Sequence, residues 1–288
     1  MKLPRKHVLR AAVGDPSEIG EFIALRLHLS TERAREWVDL GAVQVAGRRA
    51  DRATQLTPGL RVVVREPSLD RTDRSDAALV VAWRDDDLLV IDKPAGMLSQ
   101  PSENESASSL ESRVRAESPS ARMLHRLDRD ASGLVLFALR SELYAAMQHD
   151  LERGRMERSY VAIAGGVISS QREIRLRIAR DGTDARKRIA LPENAPGGKE
   201  ARTTVVPIGS TPLGTALRIQ LHTGRTHQIR VHLAAIGHPL VGDTLYGGLF
   251  ASRLLLHAER LVFSHPKTRE RIVVRSAPPE VPLVTWPS

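Results

Sequence analysis

The sequence predicts an α+β protein: a large domain around a mixed, mostly antiparallel sheet, preceded by a small α/β module. Three observations lead there. From Leu79 onward, β-branched or alternating apolar runs recur: LVVAW, LLVID, GLVLFAL, SYVAIAGGVI, ARTTVVPI, ALRIQLH and RIVVR. Only two helical periodicities fall among them, irregularly ordered, which argues for α+β. Ahead of them, a polar stretch at 67–77, PSLDRTDRSDA, reads as a linker after a compact unit at 15–66. The expected domains are therefore 15–66 and 78–288.

In the first unit, Ala34, Trp37 and Val38 sit at i, i+3 and i+4, one face of a helix. Ser30 or Thr31 caps it and Gly41 follows its end. The preceding apolar residues are Ile23, Leu25, Leu27 and Leu29. Val43 and Val45 then alternate with Ala42 and Gln44, Ala46-Gly47 turns, and LTPGLRVVVRE supplies a strand after a Pro58-Gly59 turn. In the second unit, Leu143, Met147 and Leu151 recur at steps of four, with Ser141 as cap and Gly154 past the end. Ile229, Leu233 and Ile236 mark the other helix, closed by Gly237. The polar, Gly/Pro-rich stretch 183–202 is expected to be a mobile loop.

Composition narrows the function. The 288 residues contain no cysteine, which excludes disulfides, thiolate metal sites and a Cys nucleophile. No run of about 18 apolar residues occurs, and the first 18 residues lack the apolar core of a signal peptide. A cytoplasmic, monomeric protein is the expectation. The net charge is +9 with a pI near 10.5, which points to an anionic partner, most often nucleic acid. Of the 43 basic residues all but six are Arg, the side chain whose planar fork suits phosphate. Aromatics are only 3%, so a binder that stacks many bases is disfavoured.

Two polar clusters carry chemistry. His125, Arg126, Asp128, Arg129 and Asp130 crowd six positions before an apolar strand, the kind of loop a rigid sheet presents. Thr223-Gly224-Arg225-Thr226-His227-Gln228-Ile229-Arg230 opens the second helix. His222, His227, His232 and His238 invite a metal, but steps of five suit neither one helix face nor one strand face, so none is expected. Lys93, in Asp92-Lys93-Pro94-Ala95-Gly96, is either an electrophile or a partner holding Asp92. There is no GxxxxGK[ST], no GxGxxG after a strand and no GxSxG, so no cofactor is expected.

Taken together, DKPAG at 92–96, HRLDRDASGLVLFA at 125–138, RSYVA at 158–162, TGRTHQIRVHLAAIGHPLVGDTLYG at 223–247 and LLHA at 255–258 resemble the RluA family of pseudouridine synthases. The matches keep the family's order over residues 80–275. Ala131 stands where the family usually has Thr. The first unit, with its helix, Gly, strand and turn order, resembles the S-four (alpha-L) RNA-binding domain. Arg33, Arg35, Arg48, Arg49 and Arg52 would line its RNA face, and residues 1–66 hold 12 bases against 8 acids.

The resemblance implies an RNA isomerase. The uridine N1–C1′ bond breaks, the uracil turns, and C5 bonds to C1′. The base must be flipped into a pocket. Asp128 matches the catalytic aspartate, as nucleophile or as base toward the sugar. Arg230 is its expected ion-pair partner. Tyr160 would stack on the uracil and help remove the C5 proton. Leu256 would form an apolar floor. His125, Arg126 and Arg129 would hold loop and RNA, with Arg126 or Arg129 filling the gap left by the base. Arg225 and His227 complete the RNA contacts. Ribosomal RNA of the 23S type is the expected target, with tRNA as the alternative. A metal-dependent hydrolase using Asp130, or a non-catalytic RNA-binding protein, are the rival classes.

Overall fold

The computed structural model describes residues 6–39, 41–65, 78–101, 109–249, 251 and 253–278. The linker expected at 67–77 lies outside them. The first unit runs β1 (Lys6–Arg10), α1 (Ile19–Leu27), α2 (Thr31–Asp39), β2 (Val43–Val45), β3 (Arg48–Arg49) and β4 (Arg61–Arg65). Its strands pair antiparallel in the order β1-β4-β2-β3. Ile19, Phe22, Ile23, Ala34, Trp37, Val43, Val62 and Val64 form its core. Ser30 Oγ accepts the Arg33 N–H at 3.2 Å, the expected cap of α2.

Helix α1 has no counterpart in the sequence reading. Its core contacts are Ile19, Phe22 and Ile23, spaced i, i+3, i+4. The alternation Ile23-Leu25-Leu27 hides this, because Leu25 is 56% exposed. Glu18 caps α1 by accepting the Gly20 and Glu21 N–H groups at 3.1 and 2.8 Å.

The expected basic face divides. Arg33 pairs with Glu36, Arg35 with Glu18 and Glu21, and Arg52 forks onto Asp39. Two residues apart on a helix, Arg33 and Arg35 project to different sides. Arg48 is exposed on β3. Arg49 turns inward and donates to the carbonyls of Asp39 and Thr244 at 2.9 and 3.1 Å.

The second unit runs β5 (Val80–Arg84), β6 (Leu88–Lys93), α3 (Leu110–Glu117), β7 (Arg122–Met123), β8 (Ser132–Ala138), α4 (Ser141–Glu152), β9 (Glu157–Ala164), β10 (Arg172–Arg180), β11 (Arg188–Leu191), β12 (Lys199–Thr211), β13 (Gly214–Leu221), α5 (Gln228–Ala235), β14 (Leu256–Ser264) and β15 (Arg271–Arg275). One sheet holds eleven strands, with β11-β10-β12-β13-β9-β14-β8-β6-β5 as its spine. β15 joins β14 and β7 joins β8. Among the described residues the only parallel pair is β14 with β8. The fold is α+β with a mixed, mostly antiparallel sheet.

The central strands read as unbroken apolar runs because both their faces are covered. On β6, Leu89 and Ile91 face one core and Leu88 and Val90 the other. On β8, Val135 and Phe137 oppose Leu134 and Leu136 in the same way. Helix α4 covers the second face through Met147, with Leu151 alongside. Ser141 is its first residue; the cap position is Arg140, which makes no side-chain cap bond. The stretch 183–202 is not a loop throughout: Arg188–Leu191 pairs with Arg177–Arg180 as β11. The charged run Arg186-Lys187-Arg188 at its start fits an edge strand, where charge discourages further pairing.

The parallel seam sets a steric limit. Gly133 lies opposite Ala258 with φ +112°, and a Cβ there would come within 2.4 Å of the Ala258 carbonyl oxygen and 2.5 Å of its nitrogen. Backbone cannot yield as a flexible side chain can. G133A is therefore expected to cost about 3 kcal/mol or more. Urea unfolding of the variant measures it; an unchanged midpoint would refute the close approach.

Candidate active site

Two loops meet over one face of the sheet. The first, 124–131, joins β7 to β8. It is tied to the turn after β6 by Lys93, whose ammonium is fully buried. Lys93 donates to the carbonyls of Pro94, Met97 and Arg129 at 2.9, 2.8 and 3.1 Å. Three donors thus meet three acceptors. Burial pushes its pKa down to about 7, against the pull of Asp130 and Asp128. Lys93 does not hold Asp92, which instead accepts from Ser276 Oγ. Ser99 Oγ completes the strap, donating to the Leu127 carbonyl at 2.7 Å and accepting its N–H at 3.1 Å.

The second loop, 222–227, leads from β13 into α5. Its shape depends on Gln228, which is buried and donates to the Arg202 carbonyl and to Thr203 Oγ1 at 3.0 and 2.9 Å. Its amide oxygen accepts from Thr223 Oγ1 and the Arg225 N–H. His227 takes up a left-handed backbone at φ 58° to turn the chain into α5.

Arg230 joins the loops. Its Nε and Nη2 fork onto Asp243 at 2.7 and 2.9 Å, and its Nη1 donates to Asp128 Oδ2 at 3.3 Å. Tyr246 lies under the guanidinium, 5.1 Å from ring centre to Cζ. Burial works against the Arg230 charge, but bonding and proximity to Asp243 and then Asp128 outweigh it and raise its pKa. Asp243 is sealed and also accepts the N–H groups of Leu245 and Tyr246, each at 3.2 Å. Arg49 reaches the same turn at the Thr244 carbonyl.

Beside Asp128 lie the other expected residues. His227 Nε2 is 3.9 Å from Asp128 Oδ1, and its Nδ1 bonds the Tyr246 hydroxyl at 2.8 Å. Burial lowers the His227 pKa against the pull of Asp128, so the imidazole is neutral at pH 7 and the contact is no ion pair. Tyr160 on β9 is buried in one apolar cluster with Leu127, Ala131, Ile229 and Leu256. Burial raises its pKa, Arg158 opposes this and Asp128 adds to it; the phenol keeps its proton. Ala131 is buried and bonds the Asp128 carbonyl through its N–H at 3.2 Å, so the turn closes without a hydroxyl.

The remaining expected contacts scatter. Arg126, Arg129 and Arg225 are exposed; they donate to Gln100 Oε1, the Gly96 carbonyl and the Glu200 carbonyl. His125 turns its ring inward, and its Nε2 accepts the Leu136 N–H at 3.3 Å. His222 bonds Thr204 Oγ1 and His238 the Gly165 carbonyl. Among the described residues no three His, Asp or Glu side chains converge on a point fit for a metal, and no helix is long and apolar enough to cross a membrane. Asp243, Tyr246 and Arg158 stand in the quoted motifs but have no role in the sequence reading. An acid in the otherwise uncharged GDTLYG was the available signal for Asp243.

The chain is similar to known proteins. The sequence pattern described as RNA pseudouridylate synthase matches residues 87–235. The chain belongs to that family. A ribosomal large subunit pseudouridine synthase D of Pseudomonas aeruginosa is 32% identical, with 95% of this chain and 93% of that protein covered. An uncharacterised RNA pseudouridine synthase of Bacillus subtilis is 36% identical over 69% of this chain and 68% of that one. The solved human RNA pseudouridylate synthase domain containing 1 superposes with a TM-score of 0.59 at 27% identity, covering 69% of this chain and 83% of that structure. The pseudouridine synthase is an isomerase acting on uridine in RNA.

One pH effect follows from the site. Burial, aided by the Arg158 charge, pushes His125 down to about 3. An unfolded His titrates near 6.5. The unfolded chain therefore takes up the proton first, and stability present above pH 6.5 is lost as pH falls toward 3. H125Q should lessen that loss by up to about 1.4 kcal/mol per pH unit. Urea unfolding between pH 7 and 5 measures it, and an unchanged slope would place a charged His125 in the fold.

Proposed function

We propose that the enzyme isomerises uridine in large-subunit ribosomal RNA with Asp128 as the catalytic carboxylate. One observation carries the reading: Asp128, next in the chain to Leu127 of the buried Tyr160 and Leu256 cluster, is fixed by a guanidinium that is itself fixed by Asp243. A carboxylate so held stays where a ribose C1′ or a uracil C6 can meet it, and orientation of this kind is worth several kcal/mol in a barrier. Tyr160, as a neutral phenol, packs against the flipped uracil, and its oxygen lone pair accepts the C5 proton's hydrogen bond. Leu256, in the same cluster, closes the apolar floor. Arg126, Arg129 and Arg225 contact phosphate, with Arg126 or Arg129 entering the gap left by the base. His227 orders Tyr246, and through it Arg230.

The ribosomal target is supported by the name of the Pseudomonas aeruginosa relative, a ribosomal large subunit pseudouridine synthase, which this chain matches over nearly its whole length. Residues 15–66, with β1 paired onto β4 ahead of them, form, in this reading, an S-four-like RNA-binding domain joined by 67–77 to the catalytic domain 78–288. Its strand and helix order and its positive charge support it. Arg33 and Arg48 are its candidate RNA contacts; Arg35 is held by Glu18 and Glu21.

A pseudouridine map of total RNA tests both parts. Carbodiimide-dependent stops are compared in a deletion strain, the strain given back the wild-type protein, and the strain given D128N. The expected result is one or more ribosomal RNA stops lost on deletion and restored by the wild type alone. Restoration by D128N would overturn the catalytic assignment. A lost stop confined to tRNA would overturn the target.

A further inference from the structure

Arg158 is a buried cation without a counter-ion. It lies on β9 two residues before Tyr160 and on the same face, and is only 8% exposed. Its Nε is sealed from solvent with no hydrogen-bond partner. Among the described residues, no carboxylate, carbonyl or hydroxyl bonds its guanidinium. Every other buried cation of the site is matched: Lys93 by three carbonyls and Arg230 by two carboxylates. Taking an ion out of water without such partners costs several kcal/mol. Folding does not account for keeping it.

Its surroundings say what would match it. Nη1 lies against the backbone of Gly224, where a Cβ would come within 2.9 Å. The guanidinium therefore sits at the root of the 222–227 loop, in the space glycine leaves open. On its other side is the 124–131 loop: His125 and Tyr160 both sense its charge, and both are neutral at pH 7. Arg158 thus stands between the two loops that present Asp128 and Arg230. Two residues along a strand span about 6.8 Å, a reach comparable to that from a nucleotide's base to its own phosphate. An anion entering here with the RNA would meet a guanidinium whose Nε is already sealed from water and whose Nη1 lies at the loop.

We propose that Arg158 is the anchor for a backbone phosphate flanking the flipped uridine, a positioning residue that places the nucleotide over Asp128. The proposal rests on the site reading above. It assigns Arg158 to binding, while chemistry stays with Asp128.

The probe is a short synthetic RNA holding the uridine found by the map, made in versions with one neutral methylphosphonate at each position around it. For the wild type, one of these is expected to weaken binding by about 10- to 100-fold, the range of a hydrogen bond to a charged group. R158M should bind the all-phosphate RNA with the same loss and be indifferent to that one methylphosphonate. Its salt slope of log K should fall by about 0.7–0.9. R158K, a point charge without the fork, should recover part of the affinity. Because an unmatched buried charge is removed, the Tm of R158M should be unchanged or higher.

Two results would overturn the proposal. One is a methylphosphonate penalty in R158M as large as in the wild type at every position. The other is a fall in the Tm of R158M with wild-type affinity in the folded fraction, the mark of a purely structural residue. D128N keeps the failures apart. It should show the wild-type phosphate pattern and no conversion; conversion by D128N would sink the Asp128 assignment and leave the Arg158 result standing.

Discussion

The site depends on the geometry of one guanidinium. Arg230 has a rigid fork, and Asp243 engages one edge of it with both oxygens. That fixes the plane and leaves Nη1 directed at Asp128. Asp243 in turn accepts two backbone N–H groups of its own turn, so the position of the Asp128 carboxylate is set by a tight turn on the far side of α5. Buried ion pairs add little net stability; this one adds orientation. Tyr246 serves the same end, since its ring supports Arg230 and its hydroxyl bonds His227.

The sheet makes that arrangement possible. Its central strands are covered on both faces, so they are held rigidly and their loops inherit fixed origins. β8 and β14 run parallel for two residues at Gly133 and Ala258. The seam brings the segment that follows Asp128 against the strand that begins with Leu256. Lys93 then fastens the Asp128 loop through the Arg129 carbonyl, its other two bonds going to Pro94 and Met97 in its own turn. The N-terminal unit reaches the same neighbourhood through Arg49 and the Thr244 carbonyl.

Much of this was legible in the residues. Strands β5, β6, β8, β9, β12, β13 and β15 and helices α2, α4 and α5 follow from periodicity, and the pairing of Asp128 with Arg230 follows from the family resemblance; β7, β10, β14 and helix α3 were not read. What escaped did so for physical reasons. Helix α1 was hidden because Leu25 faces water while Leu27 and Ile23 do not share its side. β11 was hidden because its four residues, Arg188–Leu191, sit inside a polar, Gly/Pro-rich stretch. Asp243 lies 13 residues from Arg230 in the chain, and only the turn after α5 brings them together. Arg158 reads as an ordinary strand cation; that it has no partner is visible only when every neighbour is in place.

The most direct measurement is the single-turnover rate of uridine conversion by D243N, taken on folded protein with saturating RNA. This variant leaves Asp128 and Arg230 in place and removes only the carboxylate that fixes them. A misplacement of about 1 Å costs on the order of 100-fold in rate. A fall of that size with RNA affinity unchanged is the expected result. Conversion at the wild-type rate would show that Asp128 does not depend on the Arg230–Asp243 clamp.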